Sequence, residues 1–405
     1  MAGTFTFDGD EIPFQEGDTF ASALHRAGVK VIARSLKYHR PRGLYCCTGS
    51  CASCYVGVDG EPNVPACMRL AKHGASVSSQ NTLGGARMDL YGVVDHVYRS
   101  KFDPHDAFTR SNLLNKAFLK AVRHMSGLGR VPPENVELRA PRRHALEVDE
   151  LIVGAGRLGL KRAQAASRPK GRVLVVDELP RLGGSATYDT RETDTRQLAE
   201  DALTWAGVEC WTQTVAFGVY EEDGQRVVAL TRRDGDVTDL VEVRARRVTI
   251  APGRHDAWPL FANNDLPGVL SLRGALRLFG EHGLLPGRRI VVHGDALPRD
   301  VERALQQAGA VVLATGEVEE ARGGQAVEAA KVGGAWHMCD TIVVNIPGTP
   351  RIELFQQAGC ELGFGADGTM GPRLVGRDGA TTVDGIHGLF SDTRPTVRAL
   401  AGWRA

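Results

Sequence analysis

A chain of 405 residues with 42% hydrophobic and 24% charged side chains has the material for two or three packed domains and is neither fibrous nor disordered. Its formal charge of +1 supplies no global field for nucleic acid or an anionic membrane, and no apolar run reaches the roughly 18 residues of a membrane span. The N-terminus lacks a basic segment followed by an apolar one, so the expectation is a cytoplasmic protein, in which clustered cysteines bind metal or react rather than staple the chain.

In chain order, TFTFDGDEIPF alternates apolar and polar residues around Asp8-Gly9 and predicts a hairpin. TFASALHRAGV then places Phe20, Leu24 and Ala27 at helical spacing, with Gly28 as the stop. The basic residues Lys37, Arg40 and Arg42 read as tuning a bound centre, meeting a partner's phosphate or forming a solvated loop; after them four of the eight cysteines fall between positions 46 and 54, and Cys67 follows. Cys46, Cys51 and Cys54 read C-x4-C-x2-C, the plant-type spacing for a 2Fe-2S centre, and Cys67 supplies a fourth thiolate. Gly43, Gly49 and Ser50 suit a small loop that turns backbone N–H groups toward sulfur. A zinc site more often shows two separated C-x2-C pairs; zinc, or free or disulfide-bonded cysteines, remain as alternatives. Cys47, beside Cys46, reads as a packed spare thiol, and Cys210, Cys339 and Cys360 read as buried filler. With the strand YVGVDG, these elements predict an α+β, β-grasp ferredoxin-like domain over residues 1–95.

Residues 96–145 form a connecting segment; between 98 and 144 lie ten Lys or Arg against four Asp or Glu. Within it SNLLNKAFLKAVRHMSG predicts an amphipathic helix capped by Ser111, with Leu114, Phe118, Val122 and Met125 on one stripe and Gly127 as its end. Its basic face reads as solvated, or as a docking surface for an acidic partner.

A hydrophobic strand then runs into Gly154-x-Gly156-x-x-Gly159 and a helix, and the next strand, GRVLVVDE, ends on Asp177. That order predicts a dinucleotide site: the glycines let backbone approach a pyrophosphate at the helix N-terminus, and the acid accepts from a ribose hydroxyl. Gly183 and Gly184, and further on Gly253, are placed with it as cofactor-binding residues. Arg157 inside the motif, and Lys161 and Arg162 after it, would bind phosphate, face a partner, or mark a turn with a vacant site. Farther on, GRRIVVHGDALPRDVERALQQAGAVVLATG repeats strand, turn and helix, but Asp295 and Pro298 stand where phosphate would approach, so the scaffold is expected to persist with its NAD site impaired. The module is therefore read as a shortened α/β, Rossmann-like pair of dinucleotide domains, 146–262 completed by about 365–405, and 263–364.

These residues resemble a known family. SLKYHRPRG, the cysteine loop, DGEPNVPACM, SGLGRVP, GAGRLG, VDELPRLGG, and DLPGVLSLRGALRLF followed by GLLPGRR are similar to the α-type subunits of heteromeric flavin-dependent amine and imino-acid oxidoreductases: sarcosine oxidase, opine oxidase, dye-linked proline dehydrogenase and hydrogen cyanide synthase. The resemblance implies a disulfide-reductase-like module holding FAD, with NAD or AMP as alternatives. It also implies a flavin-containing β-type partner that oxidises the substrate, and possibly small further subunits. Two departures qualify it: no folate-binding domain follows, and GIHGLFSDTRP has Asp392 without the glycine that usually precedes it.

No HExxH, GxSxG or P-loop is present, and His39 and His144 read as structural, so no residue is named as catalytic. The expectation is an electron-transfer subunit that passes electrons from a secondary amine, opine or imino acid through 2Fe-2S. The alternatives are a self-sufficient NAD(P)H-dependent reductase and a scaffold with a vestigial nucleotide site.

Overall fold

Asp8 and Gly9 take positive φ, 51° and 94°, and this turn joins the antiparallel strands Gly3–Phe7 and Asp10–Phe14 as the alternation predicts. The computed structural model containing this hairpin describes residues 2–35, 39–82, 84–86, 111–116, 141–189, 192–234, 237–365 and 368–390. The chain forms two units, Met1–Glu137 with Trp258–Ile346, and Leu138–Ala257 with Pro347–Ala405.

In the first unit the hairpin belongs to a five-stranded sheet ordered Asp10–Phe14, Gly3–Phe7, Ser76–Ser79, Tyr55–Val58, Glu61–Pro65. Helix Phe20–Arg26 packs on it, with Phe5 edge-on to Phe20 at 4.9 Å. Thr19 begins that helix with a capping box: its Oγ1 accepts from Ser22 N–H at 3.1 Å, and its own N–H donates to Ser22 Oγ at 2.9 Å. Replacing Thr19 by Ala is expected to lower unfolding free energy by about 1 kcal/mol, seen as a lower urea midpoint at unchanged slope.

The same unit contains four parallel strands in the order Val269–Ser271, Thr341–Asn345, Arg289–Gly294, Val311–Gly316, with helices Leu272–His282 and Arg299–Gln307 and a three-stranded meander over 318–338. The cysteine loop rests on this second sheet. Tyr45 O accepts from Ser271 N–H at 3.0 Å, Tyr45 stacks on Trp258 with centroids 3.9 Å apart, and Arg40 and Arg42 pair with Asp265 at 3.4 and 3.3 Å. The two arginines that sequence offered for cluster tuning or a partner's phosphate are thus engaged within the unit.

In the second unit parallel strands run Val208–Trp211, Val173–Val176, Arg142–Val153, Val237–Ile250, and Ile386–Gly388 adds to the last of these. All four residues of Val173–Val176 are buried, as a strand covered on both faces requires. Gln225–Asp234 and Thr214–Glu222 extend the sheet antiparallel. Residues 347–364, grouped by sequence with the second nucleotide domain, lie in this unit. Thr349–Pro350 pairs with Arg254–His255, and Phe355 joins the core around Ile250 and Ile386.

Of the helix expected over 111–127, residues 112–116 are described and helical. Ser111 Oγ accepts from Leu114 N–H at 3.4 Å, and Leu114 is exposed. Phe118, Val122, Met125, Lys37, Asp392 and the segment SGLGRVP lie outside the described residues. Among the described residues no helix is long and apolar enough to cross a membrane.

Candidate cluster and dinucleotide sites

The cysteine loop is tightly coiled because Cys47, Gly49 and Ala52 all take positive φ, 52°, 75° and 56°. At Gly49 a β-carbon would meet Met68 Cγ at 2.8 Å, so both conformation and space select glycine. This path brings together the four cysteines that sequence singled out. Thiol–thiol hydrogen bonds link Cys46 to Cys51 and Cys67, and Cys67 to Cys54. Cys46, Cys54 and Cys67 are buried and Cys51 half-buried. The bonds from Cys51 and Cys67 hold the Cys46 thiol far below its ordinary range, while sharing with Cys46 pushes the Cys51 and Cys67 thiols up. Thr48 N–H points at Cys46 Sγ, 3.4 Å away.

Among the described residues no group of three or more His, Cys, Asp or Glu is gathered as round a single metal ion. The four thiols are instead linked in pairs along a chain. That donor set fits a dinuclear centre held by four thiolates, with a backbone N–H already turned to sulfur. Cys47 is buried beside them. Cys339 and Cys360 are buried as expected, whereas Cys210 is only half-buried.

The dinucleotide turn is equally specific. A β-carbon on Gly154 would stand 2.1 Å from Ala251 O, and one on Gly159 would stand 1.8 Å from Gly154 O. These two glycines let the strand, the turn and helix Arg157–Ala166 approach closely. Gly156 is different: it is the N-cap, no side chain caps the helix, and a β-carbon there meets nothing within 4 Å. Uncapped N–H groups facing open space fit a pyrophosphate. Gly183 donates to Ala155 O at 2.9 Å, and Gly184 packs on Gly156, where a β-carbon would be 2.9 Å from its Cα. Gly253, at φ 73°, accepts from Arg351 N–H at 3.2 Å.

Asp177 is buried at the end of its strand. Its carboxylate accepts from the N–H groups of Ala155 at 2.7 Å and Leu179 at 2.8 Å. In this structure it braces the glycine turn through these two bonds. Burial pushes the group up to about 6 from 3.8, against the two N–H bonds. A raised folded value adds stability below the unfolded value and loses it as pH climbs through the folded one. Between pH 4 and 7, therefore, the unfolding free energy of the protein relative to Asp177→Asn is expected to fall by on the order of 3 kcal/mol, read from denaturant titrations at each pH. A constant difference would show that Asp177 is already ionised at pH 4.

Arg162 is engaged within its own unit. Its guanidinium binds buried Glu150 at 2.7 and 2.5 Å, and Glu150 also accepts from Thr249 Oγ1 at 2.6 Å. His144 lies 3.5 Å from Asp239, which Arg142 binds at 2.6 Å, and His39 is buried with its carbonyl accepting from Arg34.

The second turn is tied to its neighbouring strand. Gly294 is pressed against Asn345, whose O would lie 2.6 Å from an added β-carbon. The Asn345 side chain donates to Asp295 O at 2.9 Å and Ala296 O at 3.0 Å, and Asp295 N–H donates to Asn345 O at 3.0 Å. These bonds hold the loop against the strand that ends at Asn345. Sequence reading expected an impaired turn from Asp295 and Pro298 and did not single out Asn345, whose only signal was an amide ending the apolar strand TIVVN. It also missed Arg277, a buried charge inside the apolar helix segment ALRLF.

Comparison with known proteins agrees with this geometry. Residues 3–82 match the family of 2Fe-2S iron-sulfur cluster binding domains. The chain is 31% identical over 309 residues to the alpha subunit of sarcosine oxidase from Rhizobium meliloti, covering 70% of this chain and 31% of that one. It is 29% identical over 158 residues to the A subunit of opine oxidase from the same organism, covering 36% of this chain and 33% of that one. The chain thus spans about a third of the length of these curated relatives. Among solved structures, L-proline dehydrogenase from P. horikoshii superposes with a TM-score of 0.71 at 22% identity, over 96% of this chain and 68% of that one, which shows a shared fold. The chain is a homologue of the sarcosine oxidase alpha and opine oxidase A subunits, with a domain of the 2Fe-2S family at residues 3–82 and the fold it shares with L-proline dehydrogenase.

Proposed function

We propose that this chain is the electron-transfer and cofactor-holding subunit of a heteromeric flavin-dependent oxidoreductase whose substrate is a secondary amine, opine or imino acid. A flavin-containing β-type partner would oxidise the substrate. The observation that carries the reading is the convergence of Cys46, Cys51, Cys54 and Cys67 within a domain of the 2Fe-2S family, on a chain that also has an open dinucleotide turn. In this reading those four cysteines hold the cluster. Gly154, Gly156, Gly159, Asp177, Gly183, Gly184 and Gly253 form the FAD site. When bound, the cluster supplies one-electron transfer beside a flavin that handles two.

The chain's own residues position and insulate. The coiled loop keeps water from three of the four thiols, Thr48 N–H is directed at Cys46 Sγ, and the first turn of helix Arg157–Ala166 offers its N–H groups to the pyrophosphate. A chain whose cysteines are not joined in disulfides fits a reducing compartment, and the proposal places it in the cytoplasm. Because Asn345 fills the second turn, NADH added to the isolated chain is expected to leave its visible spectrum unchanged; rapid bleaching would establish the self-sufficient reductase instead.

The deciding experiment is anaerobic purification from the native source with metal, sulfide and flavin analysis. About two iron and two sulfide per chain, extractable FAD, and a co-purifying flavoprotein that oxidises an amine support the proposal. Zinc in place of iron overturns the cluster, and a cluster without extractable flavin makes the nucleotide site vestigial.

A further inference from the structure

Arg277 is 4% exposed, on helix Leu272–His282 of the domain whose own nucleotide turn is filled. Its Nη1 donates to the carbonyl oxygen of Cys47, inside the cysteine loop. Its Nε and Nη2 bind the two carboxylate oxygens of Glu281 at 3.2 and 2.9 Å. The Glu281 side chain is itself only 6% exposed. The pair continues into a buried network: His282 lies 3.9 Å from Glu281 and 3.5 Å from Asp18, and Arg26 reaches Asp18 at 3.1 Å. A cavity of about 10 Å³, room for one water, is lined by Cys47, Cys67, Arg277 and His282 among others.

A buried ion pair is costly to desolvate and weak grounds for stability, so its place against the thiol loop asks for another explanation. Reduction of a four-thiolate cluster adds one negative charge to a dry site, where a nearby fixed charge acts strongly. The guanidinium touches the loop directly, and Glu281 stands on its far side.

We propose that Arg277 is a positioning residue that holds the cysteine loop through the Cys47 carbonyl and raises the cluster's reduction potential by its buried charge, with Glu281 opposing it. The proposal rests on the cluster reading above. It also gives the second nucleotide-type domain a use: its helix delivers this charge to the loop.

The test is a potentiometric titration of the iron-sulfur EPR signal at one fixed pH, on the anaerobically purified full chain. Arg277→Gln leaves Glu281 unopposed and is expected to make reduction at least tenfold less favourable, a downward shift of 59 mV or more for a one-electron couple. Glu281→Gln leaves Arg277 unopposed and is expected to shift the potential upward. The double variant is expected to lie between the two. A loop that had merely loosened would not produce opposite signs, so shifts of the same sign, or none, overturn the proposal. If Arg277→Gln fails to fold or to retain iron, the sign of the Glu281→Gln shift alone decides. Absence of iron and sulfide from the unaltered chain instead overturns the cluster reading itself.

Discussion

Serine at position 67 is expected to abolish the iron-sulfur absorption and EPR signal and to reduce bound iron from about two per chain to near zero. Cys67 is buried, stands outside the loop that carries the other three thiols, and is hydrogen-bonded to both Cys46 and Cys54. It is therefore the residue through which the loop closes. A hydroxyl there is a harder, less readily ionised ligand on a shorter bond, and the neighbouring thiols lose the partner that orders them. Because metal binding and folding are coupled in such sites, the first unit should also unfold at lower denaturant. Cys47→Ser is the control: Cys47 is not among the four cysteines read as ligands, so iron content should hold. A Cys67→Ser variant that retains its full visible spectrum would remove Cys67 from the ligand set.

The second large effect is at the dinucleotide turn, where two glycines separate fold from binding. Gly159→Ala places a methyl 1.8 Å from Gly154 O, between helix and turn. Neither backbone can yield without breaking the close packing of the sheet, so the expected cost is about 3 kcal/mol or more, with loss of bound flavin. Gly156→Ala places its methyl in open space, where nothing of the protein lies within 4 Å. The fold should keep its melting temperature, while flavin occupancy falls because the methyl stands where backbone must approach the pyrophosphate. Paired calorimetry and flavin extraction distinguish the two. Full flavin occupancy in Gly156→Ala would falsify the assignment of this turn as the cofactor site.

How much of this was legible in the sequence depended on the range of the interactions. The Asp8-Gly9 hairpin, the helix begun by Thr19 and the glycine turn at 154–159 are local, and their residue types announce them. The basic residues read less well. Arg40, Arg42 and Arg162 looked available to phosphate or to a partner, yet each has an acid waiting in the folded chain: Asp265, far away in sequence, for the first two, and Glu150, on the strand before the turn, for the third. Asp177 was found, but the two N–H groups that occupy it belong to a turn 22 residues earlier and to its own strand end.

By itself, the sequence determined the chemistry: four cysteines at ferredoxin spacing and a strand–glycine–helix turn, because ligand type and backbone freedom are properties of residues and short spacings. Only the tertiary structure decided which charges are spent and which act. It bound the second turn to Asn345, assigned 347–364 to the second unit, and carried Arg277 across 230 residues to the Cys47 carbonyl. The reason is physical: a guanidinium's effect depends on what desolvates and faces it, and those neighbours are chosen by packing between segments that no local spacing relates.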